Sequence, residues 1–493
     1  MKKIFTSAIA FLLMCGCAAS PHFEIGAAAV HSPAAEASLT ADAKGKPIGD
    51  TSPLLSSVFC ADPTSIEYDG RLYIYGTCDH QQFEAVGKDG ENSYEHIKSL
   101  VMISTDDMVN YTYHGRIDVG EIAPWIVASW APSIVSREEA DGLTHFYMYF
   151  SNSGWGTGVI TATSPTGPWS DPLGKPLVAG NTKGLKGCKV PFDPGAVIDD
   201  NGVGWLTFGG LGGGQNGRIV KLGDDLLSID SEITKVRCPC HFEANELNFI
   251  NGTYVYTYNT DWEDHGLKWD RERDGNPPPA CSMVYMTSKT PLDYDSWEYG
   301  GCYFLSPGQQ GMDYGNNHTH LQKYGDRYYL FYHAMPQQKY FGTKGGFRSI
   351  CVNEAKVDED TLKITNVSAS LTGVEQIKSL DPYSPVQAET TAADAGIEYR
   401  QGDSGITVAA TGTGWTYVRG ADFGKGSKTI AATASGKGKI EVHKGTPDGE
   451  AVAVLVFGGE GTQTVYTDMS LSGVNDLCFV ISDGLEFDCW QAG

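Results

Sequence analysis

Three acidic residues occupy similar local settings far apart in the chain: Asp62 in "CADPT", Asp193 in "FDPGAVIDDNG" and Glu243 in "FEANELNFINGTYVYTY". Each heads a short apolar strand pattern that turns at a D-G, D-N-G or N-G bend and returns through alternating aromatic or apolar residues. Two further segments share the build: Trp130 heads "WAPSIVSREEADGLTHFYMYFS", and His318 lies in "NNHTHLQKYGDRYYLFYH". Three convergent carboxylates suit hydrolysis of a glycosidic bond. One stays ionised and activates water, and another is held protonated to serve the leaving oxygen. The third keeps the acid's pKa high and holds it in place. Glu246, three positions after Glu243, is read as facing away or lining the rim, because strand residues three apart point to opposite sides.

Distant residues can meet this way only if a scaffold gathers them. The five hairpin-like units lie between residues 55 and 370, spaced about 50–75 residues apart, and this is radial repetition. In a β-propeller the heads of the innermost strands collect at one end of the axis. Asp62, Trp130, Asp193, Glu243 and His318 should therefore meet there, with the two acids of the third and fourth units in one repeat phase with Asp62. Asp199 and Asp200 are read as building only the D-N-G bend. After about residue 375 the texture changes to short strands rich in Gly, Thr and Ser. The expected fold is all-β: a five-bladed β-propeller over 51–375, then a β-sandwich of jelly-roll type over 376–493.

The formal net charge is −24, which argues against nucleic acid and anionic membrane surfaces as partners. Lys2 and Lys3 precede a short apolar run ending in "MCGCAAS", the pattern of an export signal over 1–17. Gly16-Cys17 resembles the end of a bacterial lipobox. The expectation is a lipid anchor at Cys17 on an outer-membrane or other cell-surface lipoprotein, or in the periplasm. Ordinary cleavage near Ala18 or Ala19, giving a secreted protein, is the alternative. Residues 18–50 read as a flexible tether. Ten cysteines follow the leader. Cys60 and Cys78, Cys281 and Cys302, and Cys478 and Cys489 each flank a turn signal, so a hairpin could bridge each pair, with buried free thiols as the alternative. Cys238-Pro-Cys240-His241 lacks a second cysteine pair and is a weak zinc signal.

The order of motifs over residues 55–370 resembles glycoside hydrolase family 43. "CADPT" matches that family's early Asp-Pro, "FDPGAVIDDNG" its middle acidic segment and "FEANELNFINGTYVYTY" its Glu-bearing strand; "STDDMVNYTYHG" and "TSPTGPWSDP" match two intervening stretches. The resemblance implies Asp62 as general base, Asp193 as the residue that orients and tunes the acid, and Glu243 as general acid. It implies a single-displacement, inverting reaction with no catalytic cofactor. His318 matches a histidine near the axis, close to a bound ion, and Arg348 in "GGFRSI" a substrate-side arginine. Trp130 is read as either a sugar platform or blade core.

Residues 380–493 resemble carbohydrate-binding module family 6 through "PYSPVQAETTA", "WTYVRGADFG" and "EFDCWQAG". There the resemblance implies structural calcium at Glu389 and Asp488 and a sugar-stacking ring at Trp415. The expected activity is release of pentose from plant cell-wall polysaccharide, foremost as an α-L-arabinofuranosidase on arabinoxylan or a related arabinose-decorated glycan. The alternatives are a β-xylosidase, an endo-arabinanase, a β-galactofuranosidase, and a non-catalytic glycan-binding propeller on a cell surface.

Overall fold

The computed structural model describes residues 29–32, 39–40, 42–211, 214–263, 265, 268–402 and 405–493. The leader expected over 1–17, with Cys17, lies outside the described residues.

Five antiparallel sheets follow one another as blades. Blade 1 holds Ala61–Tyr68, Arg71–Thr77, Leu100–Thr105 and Tyr111–Ile117. Blade 2 runs from Trp130–Glu138 to Val178–Ala179, and blade 3 from Gly195–Ile198 to Thr234–Lys235. Blade 4 runs from His241–Ile250 to Glu298–Phe304. The fifth has only three strands: Thr319–Tyr324, Arg327–Ala334 and Ser349–Ala355. The segment leading into blade 1 runs along its third strand. Leu54 N–H donates to the Ile350 carbonyl at 2.9 Å, and Cys60 N–H to the Arg348 carbonyl at 3.0 Å. The chain thereby closes the ring with its own beginning.

Period-two alternation decides which blade each side chain meets. In Thr253–Thr260 the rings of Tyr254, Tyr256 and Tyr258 join Ile219 and Val236 of the blade 3 side, while Val255 joins Leu330 and Tyr332 of blade 5. In Thr144–Ser151, Phe146 and Met148 pack towards blade 1 with Leu100 and Met102, and Tyr147 and Tyr149 pack towards blade 3 with Leu206 and Val220. The fifth interface joins Leu72 and Ile74 to Phe331 and Val352. Both faces of each blade are buried, so these strands read as unbroken apolar and aromatic runs. Each fully buried side chain of this size contributes about 1.5–3 kcal/mol. The hairpin bends use the left-handed conformation their sequences suit: Asp69 and Gly70 have φ of 52° and 73°, and Asn251 and Gly252 of 47° and 72°.

The second unit is β-rich, with strands between Val386 and Ala492 around one core containing Val408, Phe479, Phe487 and Trp490. It is fixed to blade 1. Thr390–Thr391 pairs with the outer strand Tyr111–Ile117, and the Asn110 side chain donates to the Arg419 carbonyl and accepts from the Arg419 N–H.

One expectation needs correction. The described part of residues 18–50 is not a free tether. Val30–His31 pairs with Val465 and Tyr466, and Lys46 is buried with its ammonium donating to the Pro53 carbonyl. Of the two readings open for the cysteines, the structure has the free thiols: all ten from Cys60 to Cys489 are unbridged. Cys478 and Cys489 lie on consecutive strands that do not pair with each other, because each hydrogen-bonds instead to Ile406–Asp422 and Ser427–Lys444.

Candidate active site

Blades 1, 2 and 4 open their inner strand with a bulge, at Ala61/Thr64, Trp130/Ser133 and Glu243/Glu246. The first of the two residues inside each bulge has left-handed backbone: Asp62 at φ 49°, Ala131 at 40° and Ala244 at 61°. Asp193, ahead of the blade 3 strand, has φ 49°. Side chains rarely take this conformation, and it persists only where other contacts hold it. The contacts here are inter-blade hydrogen bonds. Ala131 N–H donates to Thr77 Oγ1 at 2.8 Å, and Asp193 N–H to Ser151 Oγ at 2.7 Å. Asp62 N–H points at His333 Nδ1, 3.2 Å away. Each acceptor lies near the end of the second strand of the preceding blade. At that place blade 3 has Gly209, which offers no side chain, and the Asp193 carboxylate accepts from Ala244 N–H at 2.9 Å instead.

This register corrects the expected repeat phase. Ala61, Trp130 and Glu243 sit opposite Thr77, Ser151 and Asn259. The equivalent of Asp62 and Asp193 in blade 4 is therefore Ala244, and Glu243 stands one position earlier, level with Trp130. The bulge also undoes the alternation argument about Glu246. With an extra residue between Glu243 and Glu246, both can turn inward. Glu246 is not at the rim: it is buried, 2.7 Å from His320 Nδ1. His320 Nε2 accepts from Ser65 N–H at 3.0 Å, so Nδ1 carries the proton and donates to Glu246. Ile134 N–H to Thr64 Oγ1 and Ala196 N–H to Ser133 Oγ continue this second tier around the axis. Gly195 completes it by having no side chain, since a Cβ there would stand 2.7 Å from Glu246 Cα.

Asp62 is buried within a cage of donors and cations. Thr77 Oγ1 donates to Oδ2 at 2.7 Å, and Arg348 Nη1 donates to Oδ1 at 2.8 Å. Burial alone would raise the Asp62 pKa. Arg348, then His333, outweighs burial and holds the carboxyl well below the usual carboxylate range. Arg348 is itself fixed by a two-pronged pair with Asp79, at 2.9 and 2.8 Å, and by the ring of Tyr94, 4.9 Å from the guanidinium carbon. Asn92 donates to Asp79 at 2.7 Å. Asp79, Asn92 and Tyr94 belong to no motif that marks them in the sequence. They come from the loop between the second and third strands of blade 1, and only the fold brings them to Arg348.

Glu243 and Asp193 behave oppositely to Asp62. Burial raises the Glu243 pKa, and the charges of Asp193 and Asp62 add to the rise against Arg348 and a hydrogen bond from Asn316. Burial and the Asp62 charge also raise Asp193, but Ala244 N–H and the Ser151 hydroxyl favour its anion. Asp193 has the two donors that favour its anion, so of this pair Glu243 is the one that favours its proton. The site thus sets one carboxylate held ionised beside two carboxyls raised by burial and by neighbouring negative charge.

Of the other expected site residues, the structure brings His318, Arg348 and Trp130 to this end of the axis. His318 Nδ1 is 3.6 Å from Asp62 Oδ1, and burial pushes its pKa down to about 4, leaving it neutral. Arg348 is buried against Asp62 and Asp79, so its reach is towards these carboxylates rather than outward. Trp130 is partly buried with its edge against Tyr94, ring centroids 6.0 Å apart. Asp199 is confirmed as a turn-builder, accepting from Asn201 and Val203 N–H and from Trp205 Nε1. Trp415 is a correction. It is 4% exposed and donates to the Ala43 carbonyl at 3.1 Å, so the N-terminal segment covers the ring that was expected to stack on sugar. Glu389 is buried, and its Oε2 has no hydrogen-bond partner among the described residues. Burial, with the Asp488 charge adding to it, pushes its pKa up to about 8. An orphaned buried carboxylate oxygen near a second acid fits a hard cation.

The model of Glycosyl hydrolases family 43 matches residues 51–362. The chain belongs to this family. It is 34% identical over 491 residues to an arabinoxylan arabinofuranohydrolase of Bacillus subtilis strain 168, covering 90% of this chain and 93% of that protein. An arabinoxylan arabinofuranohydrolase of Paenibacillus polymyxa is 32% identical, over 92% of this chain and 76% of that one. The crystal structure of a family 43 arabinoxylan arabinofuranohydrolase from Bacillus subtilis, in complex with cellotetraose, superposes with a TM-score of 0.83 at 33% identity. That match covers 91% of this chain and 98% of the other. The glycoside hydrolase assignment, the five-bladed propeller and the hydrolysis of an O-glycosyl bond stand on these matches together with the fold.

Proposed function

We propose that the chain removes α-L-arabinofuranosyl groups from arabinoxylan, with inversion at the anomeric carbon. The reading rests on one observation above the others: Asp62, Asp193 and Glu243 meet at one end of the axis, with Arg348 and Thr77 donating to Asp62 and the Ala244 N–H donating to Asp193. Asp62 is held anionic by Arg348 and accepts a proton from water as that water attacks the anomeric carbon. Glu243 gives its proton to the departing oxygen of the xylan chain. Asp193 holds the Glu243 proton in place by its charge and positions the strand through the Ala244 N–H. The likeness of both chain length and fold to arabinoxylan arabinofuranohydrolases supports arabinose over xylose or galactofuranose as the sugar released.

The same proposal gives the second unit a supporting role. Glu389 and Asp488 would hold a structural calcium, which would anchor the loop entering the β-rich unit and supply no chemistry. His318, neutral and beside Asp62, would sit near a second ion on the axis. Export, with an anchor at Cys17, places the enzyme where cell-wall glycans are met.

The test uses aryl α-L-arabinofuranoside, aryl β-xyloside, arabinoxylan and arabinan. Wild type should release arabinose from the first and third, and the first-formed sugar seen by NMR should have the inverted anomer. Glu243→Ala should abolish release from arabinoxylan but spare a substrate whose leaving group needs no proton. Asp62→Ala should abolish both. Xylose release exceeding arabinose release would overturn the sugar assignment, and full arabinoxylan activity in Glu243→Ala would overturn the acid.

A further inference from the structure

Three residues outside the carboxylate site converge at the head of blade 4. Cys240, Asp261 and His265 are all buried, and one ligand atom from each lies within 4.8 Å of the other two. Two strand ends and a short loop bring them together. Asp261 N–H donates to the Cys240 carbonyl at 2.8 Å, which continues the pairing of His241 with Thr260. His265 follows Asp261 by four residues, and its Nδ1 is 3.1 Å from Asp261 Oδ1. Its Nε2 is buried without a hydrogen-bond partner among the described residues, which is costly for an imidazole 2% exposed. Cys240 has left-handed backbone at φ 56°, which sets its side chain apart from the strand alternation that follows.

We infer that Cys240, Asp261 and His265 form a zinc site. A thiolate, a carboxylate and an imidazole make a donor set that suits zinc and disfavours calcium or magnesium, which take oxygen ligands. Tetrahedral ligation with bonds of 2.0–2.3 Å sets donor atoms roughly 3.3–3.8 Å apart. The cluster therefore needs to contract by at most about 1 Å on any side, within the reach of side-chain rotation. Three protein ligands leave a fourth position for water. On binding, the Cys240 thiol loses its proton to solvent and its sulfur electron pair forms the metal bond, so one proton is released per ion.

The position gives the ion a purpose. Cys240 lies three residues before Glu243, and the loop from Asp261 to Cys281 is pinned at its base by the Cys281 N–H to the Asp261 carbonyl at 2.8 Å. The loop carries Trp262, 46% exposed, at the end of the propeller where Glu243 stands. Zinc would staple this loop to the head of the acid-bearing strand and steady its exposed ring. The charge of the ion is spent on its ligands, and no catalytic step passes through it.

The mature chain, stripped with a chelator, would be titrated with zinc by calorimetry and with cobalt by absorption. The expected result is one site, a sulfur-to-cobalt charge-transfer band, one proton released, and slower proteolysis within residues 262–280. Cys240→Ser should lose the band, and His265→Gln should weaken zinc at least tenfold while keeping the native circular dichroism. No zinc uptake by the native chain, or uptake unchanged in both variants, would overturn the site. Neither outcome bears on the arabinofuranosidase reading, because hydrolysis is measured separately in the stripped enzyme.

Discussion

Replacing Asp193 with Asn tests the electrostatic logic of the site with little change of shape. The amide oxygen can still accept from Ala244 N–H, where the carboxylate accepts at 2.9 Å, and its NH2 can donate to Ser151 Oγ. What disappears is one negative charge next to Glu243. Burial comes first in raising Glu243 to about 8, and Asp193 is the next contributor. A neighbouring like charge is worth about 1–2 pKa units at such a site, so the Glu243 pKa should fall to about 6–7. At about pH 7 the protonated fraction of the acid then drops from about nine-tenths to between one-half and one-tenth, a twofold to tenfold loss of activity from protonation alone. The assay is kcat/KM for arabinose release from arabinoxylan oligosaccharides across the pH range. Because the acid must carry its proton, activity falls as pH rises through its pKa, and that limb should move to lower pH. A substrate with an activated leaving group should show no such shift. A basic limb unmoved in Asp193→Asn would refute the reasoning. Stability gives an independent check. A carboxyl raised in the folded state contributes stability that is complete below its ordinary pKa and lost as pH rises through about 8. Asp193→Asn should therefore reduce the loss of Tm between mildly acidic and neutral pH.

Other substitutions separate the remaining roles. Arg348→Met leaves Asp62 and Asp79 buried without their shared cation. Urea unfolding should show a loss of about 3–5 kcal/mol, and the acid limb of the pH–rate profile should move up as Asp62 becomes easier to protonate. Glu246→Gln keeps a hydrogen bond to His320 but not the charge, so kcat should stay within a few fold of wild type while stability falls by about 1–3 kcal/mol. A kcat loss as deep as that of Glu243→Ala would return Glu246 to the chemistry. Trp415→Ala should cost about 3–5 kcal/mol in thermal or urea unfolding, with no change in glycan retention on affinity electrophoresis, because the ring is covered.

The fold was legible because its signal is repeated. Five hairpin patterns with D-G, N-G and related bends specify five blades, and apolar residues on both strand faces specify that each blade is covered on both sides. Asp62, Asp193 and Glu243 stand out in the sequence because acidic residues at the heads of such strands recur in the motif order that resembles the family, and the fold brings all three to one end of the axis. The phase of Glu243 was not legible. A bulge adds one residue without changing composition, and its position depends on inter-blade hydrogen bonds such as Ala244 N–H to Asp193. For the same reason the alternation could not decide whether Glu246 lines the rim or backs the site, and the structure buries it against His320.

The partners of the site also depend on tertiary structure. Asp79 is 269 residues from Arg348, and nothing local in either segment records that they form a two-pronged pair. Trp415 and Lys46 show the limit from the other side. An aromatic in a binding-module motif and a lysine in a polar segment look exposed in sequence. Burial of both follows from the N-terminal segment folding back over the β-rich unit. The sequence by itself determined which residues were available for chemistry and which scaffold could gather them, since both are written in local pattern. Only the tertiary structure decided which carboxylate keeps a proton, because protonation follows from burial and from charges contributed by other blades.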